Sequence, residues 1–345
     1  MTRGQTLDFD IVLIGNRFGE LLERVSGRPS RSMLTEVFSV HERALNLRLA
    51  DAESSDHLLS LVADRSSCTR NSLVISPGGK PLEAGGLGHG DLATLTVDQL
   101  APRLEVTLAV AARERADRTV LWLTGAVGET TAGTSLYSGR VDPLLSQAPE
   151  ATHERALLLT LAELILEHED GAGFGSLARY VLPFAARGHQ LANPFVSHAA
   201  TLLQPAFESA TPLSDLLPSL VGLGIGFTPS GDDFVAGALA AFALTGRKLP
   251  RRSRDALLAR ASTATTIPGA VLLNDAADES FPLYLREFAH WFAKAATGAP
   301  ASWAPQPSPT GPTLGEAVER AARHGHSSGI DALTGFLLAL AFTQT

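Results

Sequence analysis

Residues 224–244 read Gly-Ile-Gly-Phe-Thr-Pro-Ser-Gly-Asp-Asp-Phe-Val-Ala-Gly-Ala-Leu-Ala-Ala-Phe-Ala-Leu. A glycine loop leads into two adjacent carboxylates and then into a run without a polar side chain. A helix that is apolar on every side belongs in an interior. The stretch 232–244 therefore predicts a core helix whose polar opening is drawn inside with it. Residues 325–335 repeat the lettering as Gly-His-Ser-Ser-Gly-Ile-Asp-Ala-Leu-Thr-Gly. Both segments contain S-G-x-D-x-x-x-G: Ser230, Gly231, Asp233 and Gly237 in the first, Ser328, Gly329, Asp331 and Gly335 in the second. The second also opens an apolar helix, over 331–342.

Working outward, apolar spacing is helical from about residue 150 onward. It predicts helices over 154–169, 199–207, 213–223, 253–263, 269–277, 282–296 and 314–324. The Pro-, Gly-, Ser- and Ala-rich stretch 297–313 reads as a surface linker within that region. The first third is different. Short β-prone runs over 9–14, 34–40, 44–49, 58–63, 72–76 and 120–124 are separated by turn residues. Residues 15–25 have helical spacing, and 103–116 fits either type. The expected fold is α+β: a β-rich N-terminal domain over 1–150, followed by a mainly α-helical domain over 151–345 that carries both motifs.

Composition narrows the function. Lys plus Arg is 28 and Asp plus Glu is 36, a net charge of −8, with 45% apolar residues over 345 positions. This is a chain with material for a core, not a disordered polymer. The acidic balance argues against nucleic acid as a partner. The basic residues Arg247, Lys248, Arg251, Arg252 and Arg254 form the one local cluster and read as an exposed helix–loop junction. The single Cys68 excludes an internal disulfide framework and a Cys-rich zinc site. The longest apolar runs fall short of the roughly 20 residues of a membrane span. No export leader is expected, and a cytoplasmic location follows.

The chemistry concentrates at the two helix openings. A structural account makes Ser230 with Asp233, and Ser328 with Asp331, imperfect capping boxes. A functional account starts from the glycines, because Gly224 and Gly226 bring bare backbone to a helix N-terminus suited to anions. Asp232 and Asp233 cannot both be caps, and a carboxylate left over in an interior needs a partner. If the openings converge, they gather Thr228, Ser230, Asp232, Asp233, His326, Ser327, Ser328 and Asp331. Candidate acid–base residues are Asp233, His326 and Asp232. Candidate substrate-binding residues are Gly224, Gly226, Thr228, Ser230, Gly231, Ser327, Ser328, Gly329 and Asp331. A divalent metal at Asp232 and Asp233 is an open alternative. No NAD or ATP motif occurs.

These residues carry a resemblance. Residues 224–237 are similar to the GLGPGLTPSGDDFLAG signature of the AllH-like family, and 325–335 resemble its GHTSGADLLAG ending. Thr265-Thr266-Ile267-Pro268, with Leu273 and Ala276, resembles its TTxIS…L…A segment, and residues 40–46 are a weaker echo of its early strands. The clear similarity spans roughly 215–340. Ile225 and Phe227 replace other apolar residues in the loop, and Pro268 stands where the pattern has serine. The resemblance implies a subunit of an oxamate-type carbamoyltransferase, which passes a carbamoyl group between oxamate and phosphate in allantoin and purine breakdown. It implies a small anionic substrate or carbamoyl phosphate, and other transferase subunits as partners. A non-catalytic ligand-binding or scaffold subunit is the alternative.

Rival motifs are weaker. Gly325-His-Ser-Ser-Gly329 fits G-x-S-x-G, but no histidine follows Ser327, so the nucleophile-elbow order fails. Residues 167–170 (Glu-His-Glu-Asp) read as a solvated helix tip, and Cys68 as a passive thiol.

Overall fold

A computed structural model describes residues 5–26, 32–49, 58–76, 87–100, 103–111, 118–126, 135–137, 139–141, 151–182, 193–208, 210–297 and 313–342. The chain divides into two compact units, residues 1–139 and 140–345. The architecture is α+β, strands first and helices after.

The first unit holds β1 (Gln5–Gly15), α1 (Asn16–Ser26), β2 (Ser32–His41), β3 (Ala44–Leu49), β4 (Leu58–Val62), β5 (Ser72–Ser76), β6 (Leu92–Leu100), β7 (Arg103–Ala111), β8 (Arg118–Ala126) and β9 (Ser135–Tyr137). Sheet order is β5-β4-β3-β2-β6-β7-β8-β1-β9. Strand β1 is long enough to serve three partners, with β9 running parallel to its residues 13–15. Its residues 5–10 run parallel to β8, and residues 10–14 run antiparallel to β5. The β1–β5 pairing curls the sheet back on itself, with β9 as the strand beyond β1 in the order. Val37, Leu45, Leu47, Leu61, Leu73 and Ile75 form the core with Phe18 and Leu22 of α1. Gly15 ends β1 where a Cβ would lie 2.3 Å from the Thr69 carbonyl oxygen and 2.4 Å from that of Arg70. That close approach lets the Arg70 carbonyl accept from the first amides of α1, Arg17 N–H at 3.0 Å and Phe18 N–H at 3.1 Å. Residues 103–111 resolve as strand, and β6 and β9 were not anticipated.

The second unit holds α2 (Ala151–His168), a 3-10 turn (Gly175–Val181), α3 (Pro194–Phe207), α4 (Leu213–Leu220), α5 (Ser230–Leu244), α6 (Arg251–Ala264), α7 (Ile267–Ala277), α8 (Leu283–Thr297), α9 (Leu314–Ala322) and α10 (Ser328–Ala341). Every residue of α5 is buried, as is α10 from Gly329 to Leu340. The other helices wrap this pair. Among the described residues, no helix is long and apolar enough to cross a membrane.

The motif glycines explain how α5 and α10 pack. A Cβ on Gly237 would lie 1.8 Å from the Ala332 carbonyl oxygen, and one on Gly335 would lie 1.9 Å from that of Phe234. Counted from their own motifs, Phe234 and Ala332 occupy the same place. Each helix thus offers the other the same two positions, and the crossing has approximate two-fold symmetry. The earlier glycines repeat the theme. A Cβ on Gly231 would meet the Leu220 carbonyl at the end of α4 at 2.0 Å, and one on Gly329 the Ala321 carbonyl at the end of α9 at 1.8 Å. Helix pairs α4–α5 and α9–α10 are two versions of one hairpin.

Gly237→Ala and Gly335→Ala should each destabilise the chain by about 2 kcal/mol or more, because backbone has to move. Gly315→Ala in α9 meets nothing within 4 Å, and should be neutral or stabilising by up to about 1 kcal/mol. Urea unfolding of the three variants measures the contrast.

Candidate functional site

The site begins with how the two helices start. Pro229 is the N-cap of α5 and Ser327 that of α10, and neither provides a side-chain cap. The capping-box account of Ser230 and Ser328 therefore fails: both lie inside the first turn. In each helix the glycine after the serine sends its amide back to the preceding loop. Gly231 N–H donates to Leu223 O at 2.8 Å, and Gly329 N–H to His324 O at 3.0 Å. These two amides are engaged and do not face a ligand. Gly222, Gly224 and Gly226 have φ of +76°, +117° and +120°, values only glycine adopts readily. They bend the loop so that a Cβ on Gly224 would lie 2.9 Å from the Ser230 nitrogen.

With the polar openings buried, the side chains exchange across the symmetry. Asp233 of the first motif is bonded by Ser328 of the second. Thr228 Oγ1 donates to Asp233 Oδ2 at 2.9 Å and lies 3.2 Å from Ser328 Oγ. On the other side, the hydroxyls of Ser230 and Ser327 approach Asp331 of the second motif. The Phe174 amide donates to Asp331 Oδ1. Asp331 Oδ2 is buried, and no donor among the described residues is properly directed at it. A Cβ on Gly173 would lie 2.2 Å from Asp331 Oδ1, so the loop before Phe174 has to be glycine to close over this carboxyl.

Burial dominates the electrostatics. It pushes Asp331 up to about 7, against the Phe174 amide and the Ser230 and Ser327 hydroxyls, which favour the charged form. Burial holds Asp233 well above the usual carboxylate range, and repulsion from Asp331 adds to it. Two such carboxyls cannot both ionise near neutrality at low cost, and burial with its neighbour favours the protonated form of Asp233.

The structure brings together Thr228, Ser230, Asp233, Ser327, Ser328 and Asp331. Asp232 lies on another face of α5. It accepts from the Gly222 amide at 2.8 Å and from the Thr265 hydroxyl, and burial pushes it up to about 6. Its carboxylate ties the glycine loop to the start of α7. Asp232 and Asp233 thus have separate hydrogen-bond partners, and no group of three or more metal-ligand side chains occurs among the described residues. His326 is outside the cluster. Its side chain is 80% exposed, and its Nδ1 lies 3.2 Å from Asp170 Oδ2. Gly226 is exposed at the loop tip, between Ile225 at 74% and Phe227 at 42%.

Three contributors were not anticipated. The segment Gly171-Ala-Gly-Phe-Gly175 supplies the Phe174 amide, and its three glycines after a helix were the available signal. Thr265 belongs to a segment quoted for its resemblance but not placed. Tyr284 of α8 is buried near both Asp233 and Asp331, and its ring stacks on His324 at 4.0 Å. Nothing in its helical spacing separates it from ordinary core. Residues 167–170 form a helix tip with local bonds, as when Glu169 accepts from the Gly171 amide at 3.0 Å. Burial pushes the Cys68 thiol up to about 12, which makes it inert as a nucleophile.

Two buried carboxyls, Asp233 and Asp331, are thus held between paired helix openings by hydroxyls exchanged across them. The comparisons narrow this: residues 220–340 match the AllH family model, described as oxamate carbamoyltransferase subunit AllH. The match covers the whole of both motifs and bears out the resemblance read from them. No curated protein and no solved structure matches the chain.

A carboxyl whose folded pKa is raised makes the folded state hold the extra proton, so stability falls as pH rises from the unfolded value toward the folded one. For Asp331 that window runs from about pH 4 to about pH 7. Asp331→Asn removes it. Relative to the variant, the parent chain should lose on the order of 3 kcal/mol between about pH 4 and pH 8, measured by urea unfolding at both ends.

Proposed function

We propose that this chain is a subunit of an oxamate-type carbamoyltransferase, and that the joined openings of α5 and α10 bind the small acyl anion. The observation that carries this reading is the crosswise pairing of Asp233 with Ser328 and of Asp331 with Ser230, which leaves a buried Asp331 oxygen without a directed donor. It lies inside the segment that matches the family. A deprotonated pair would repel an anion. A pair that retains a proton donates a hydrogen bond to one, and so accepts a carboxylate or a carbonyl oxygen.

The chemistry that follows uses both carboxyls. In transfer to phosphate, a phosphate oxygen forms a bond to the carbamoyl carbon while the carbon–nitrogen bond to oxamate breaks. The carboxyl that holds the proton gives it to the departing nitrogen, and the ionised one takes the proton of the attacking phosphate hydroxyl. The products are oxamate and carbamoyl phosphate, and the pair ends with one proton, as it began. Asp233 is the acid because burial and its neighbour hold it protonated; Asp331, with a pKa near neutrality, is the base. Ser230, Ser328 and Thr228 position the two. His326 takes no part in this step. A cytoplasmic setting fits a chain whose one cysteine is buried and free.

A second reading is favoured by one feature. Ile225 and Phe227 stand exposed on the loop that enters α5. An apolar tip beside the site suits packing against another subunit that completes the chemistry, with this chain binding ligand only.

Isothermal titration of the purified chain with oxamate and with carbamoyl phosphate separates these readings. Saturable binding with turnover supports a catalytic chain, and binding without turnover supports the second reading. Asp233→Asn should weaken binding at least about tenfold, near 1.4 kcal/mol, with native far-UV circular dichroism. Unchanged binding by a folded Asp233→Asn chain would remove Asp233 from the site.

A further inference from the structure

The cationic pair Arg247 and Lys248 plays no part in the α5–α10 site. Both follow the C-terminal end of α5, and both line a cavity of about 490 Å³ together with Phe242, Phe342, Leu213 and Ala210. That volume lies within the range of small-molecule sites. One side of the wall is aromatic. The Phe342 ring lies 5.0 Å from that of Phe207, which stacks on Tyr180 at 4.2 Å.

The two cations are exposed, and their side chains have no ion-pair or hydrogen-bond partner among the described residues. Nearby carboxylates are engaged elsewhere. Asp215 accepts from Ser253 Oγ at 2.7 Å, Glu208 from Gln204 Nε2 at 2.7 Å, and Asp255 faces Arg251 at 3.7 Å. In a chain with a net charge of −8, an uncompensated cationic rim over an aromatic wall is a local field for an anion.

We infer that this cavity is a second binding site, for an organic anion with a flat or acyl body. The body rests on Phe242 and Phe342, and the charged group meets Arg247 and Lys248. Phe242 lies near the last residue of α5, and Phe342 is the C-cap of α10. The cavity therefore touches the same two central helices at the ends opposite to their motifs, roughly 14 to 17 Å from Asp233 and Asp331 along the helices at 1.5 Å per residue. A ligand there contacts none of Asp233, Asp331 or their serines, so this site stands apart from the proposed transferase function.

The test uses the full chain and the fluorescent anion anilinonaphthalene sulfonate, with neutral N-phenylnaphthylamine as the same body without the charge. The sulfonate should bind saturably. Arg247→Ala with Lys248→Ala should weaken it about tenfold while changing the neutral probe less than about twofold. Ala210→Trp, which fills the cavity from an exposed position, should remove binding of both. Asp233→Asn should leave binding unchanged. Displacement by phenyl phosphate assigns a phosphate ligand, and displacement by phenylpropionate a carboxylate. Sulfonate binding that is indifferent to both the charge and the cavity variants, or that neither anion displaces, overturns the proposal.

Discussion

The close crossing of α5 and α10 is the constraint on which the second unit depends. Backbone meets backbone at Gly237 and Gly335, where no side chain fits. That contact fixes the two helices at one offset, and the offset brings their first turns together. Once the first turns meet in an interior, their carboxyls leave water. Each carboxyl then takes one serine from the opposite helix, Ser328 for Asp233 and Ser230 for Asp331, beside a hydroxyl of its own segment, Thr228 or Ser327. A sterically required crossing thus becomes an electrostatic device: the glycines set the distance, and the exchanged Ser–Asp pairs occupy the space that results.

The burial that disfavours charge also gives the site its use. An exposed carboxyl near pH 7 is an anion and repels other anions. Burial and the neighbouring Asp331 shift Asp233 toward its protonated form. Asp331, raised to about 7, is divided between its two forms at neutral pH. Under the proposed function, one group gives a proton while the other takes one. The glycine loop and Asp232 serve this arrangement indirectly, since the Asp232 carboxylate anchors the loop at Gly222 and at Thr265.

Much of this was legible in the letters. The apolar run after Asp233 required a buried helix, and the repeated S-G-x-D-x-x-x-G made a shared hollow the economical expectation. The β-prone runs up to residue 76 were found because they alternate or end in turn chemistry. Residues 92–100 were missed, and their inward Ala93 and Leu95 are too modest a signal among threonines. Proximity along the chain misled at two residues. Asp232 adjoins Asp233, yet successive helix residues point about 100° apart, and the two carboxyls take different hydrogen-bond partners. His326 adjoins the second motif, yet it precedes the helix and turns outward to Asp170. Conversely, Phe174 and Tyr284 join the site through tertiary packing, which local spacing does not encode.

The central claim is that Asp233 and Asp331 share one interior and titrate as a coupled pair. Carbon-13 NMR of chain labelled at the aspartate carboxyls tests it directly, with each signal assigned by its Asn variant. Asp233 should stay protonated through neutral pH, Asp331 should titrate near 7, and Asp331→Asn should lower the Asp233 transition by removing a neighbouring charge. Two independent transitions near 4, each indifferent to loss of the other, would contradict the account.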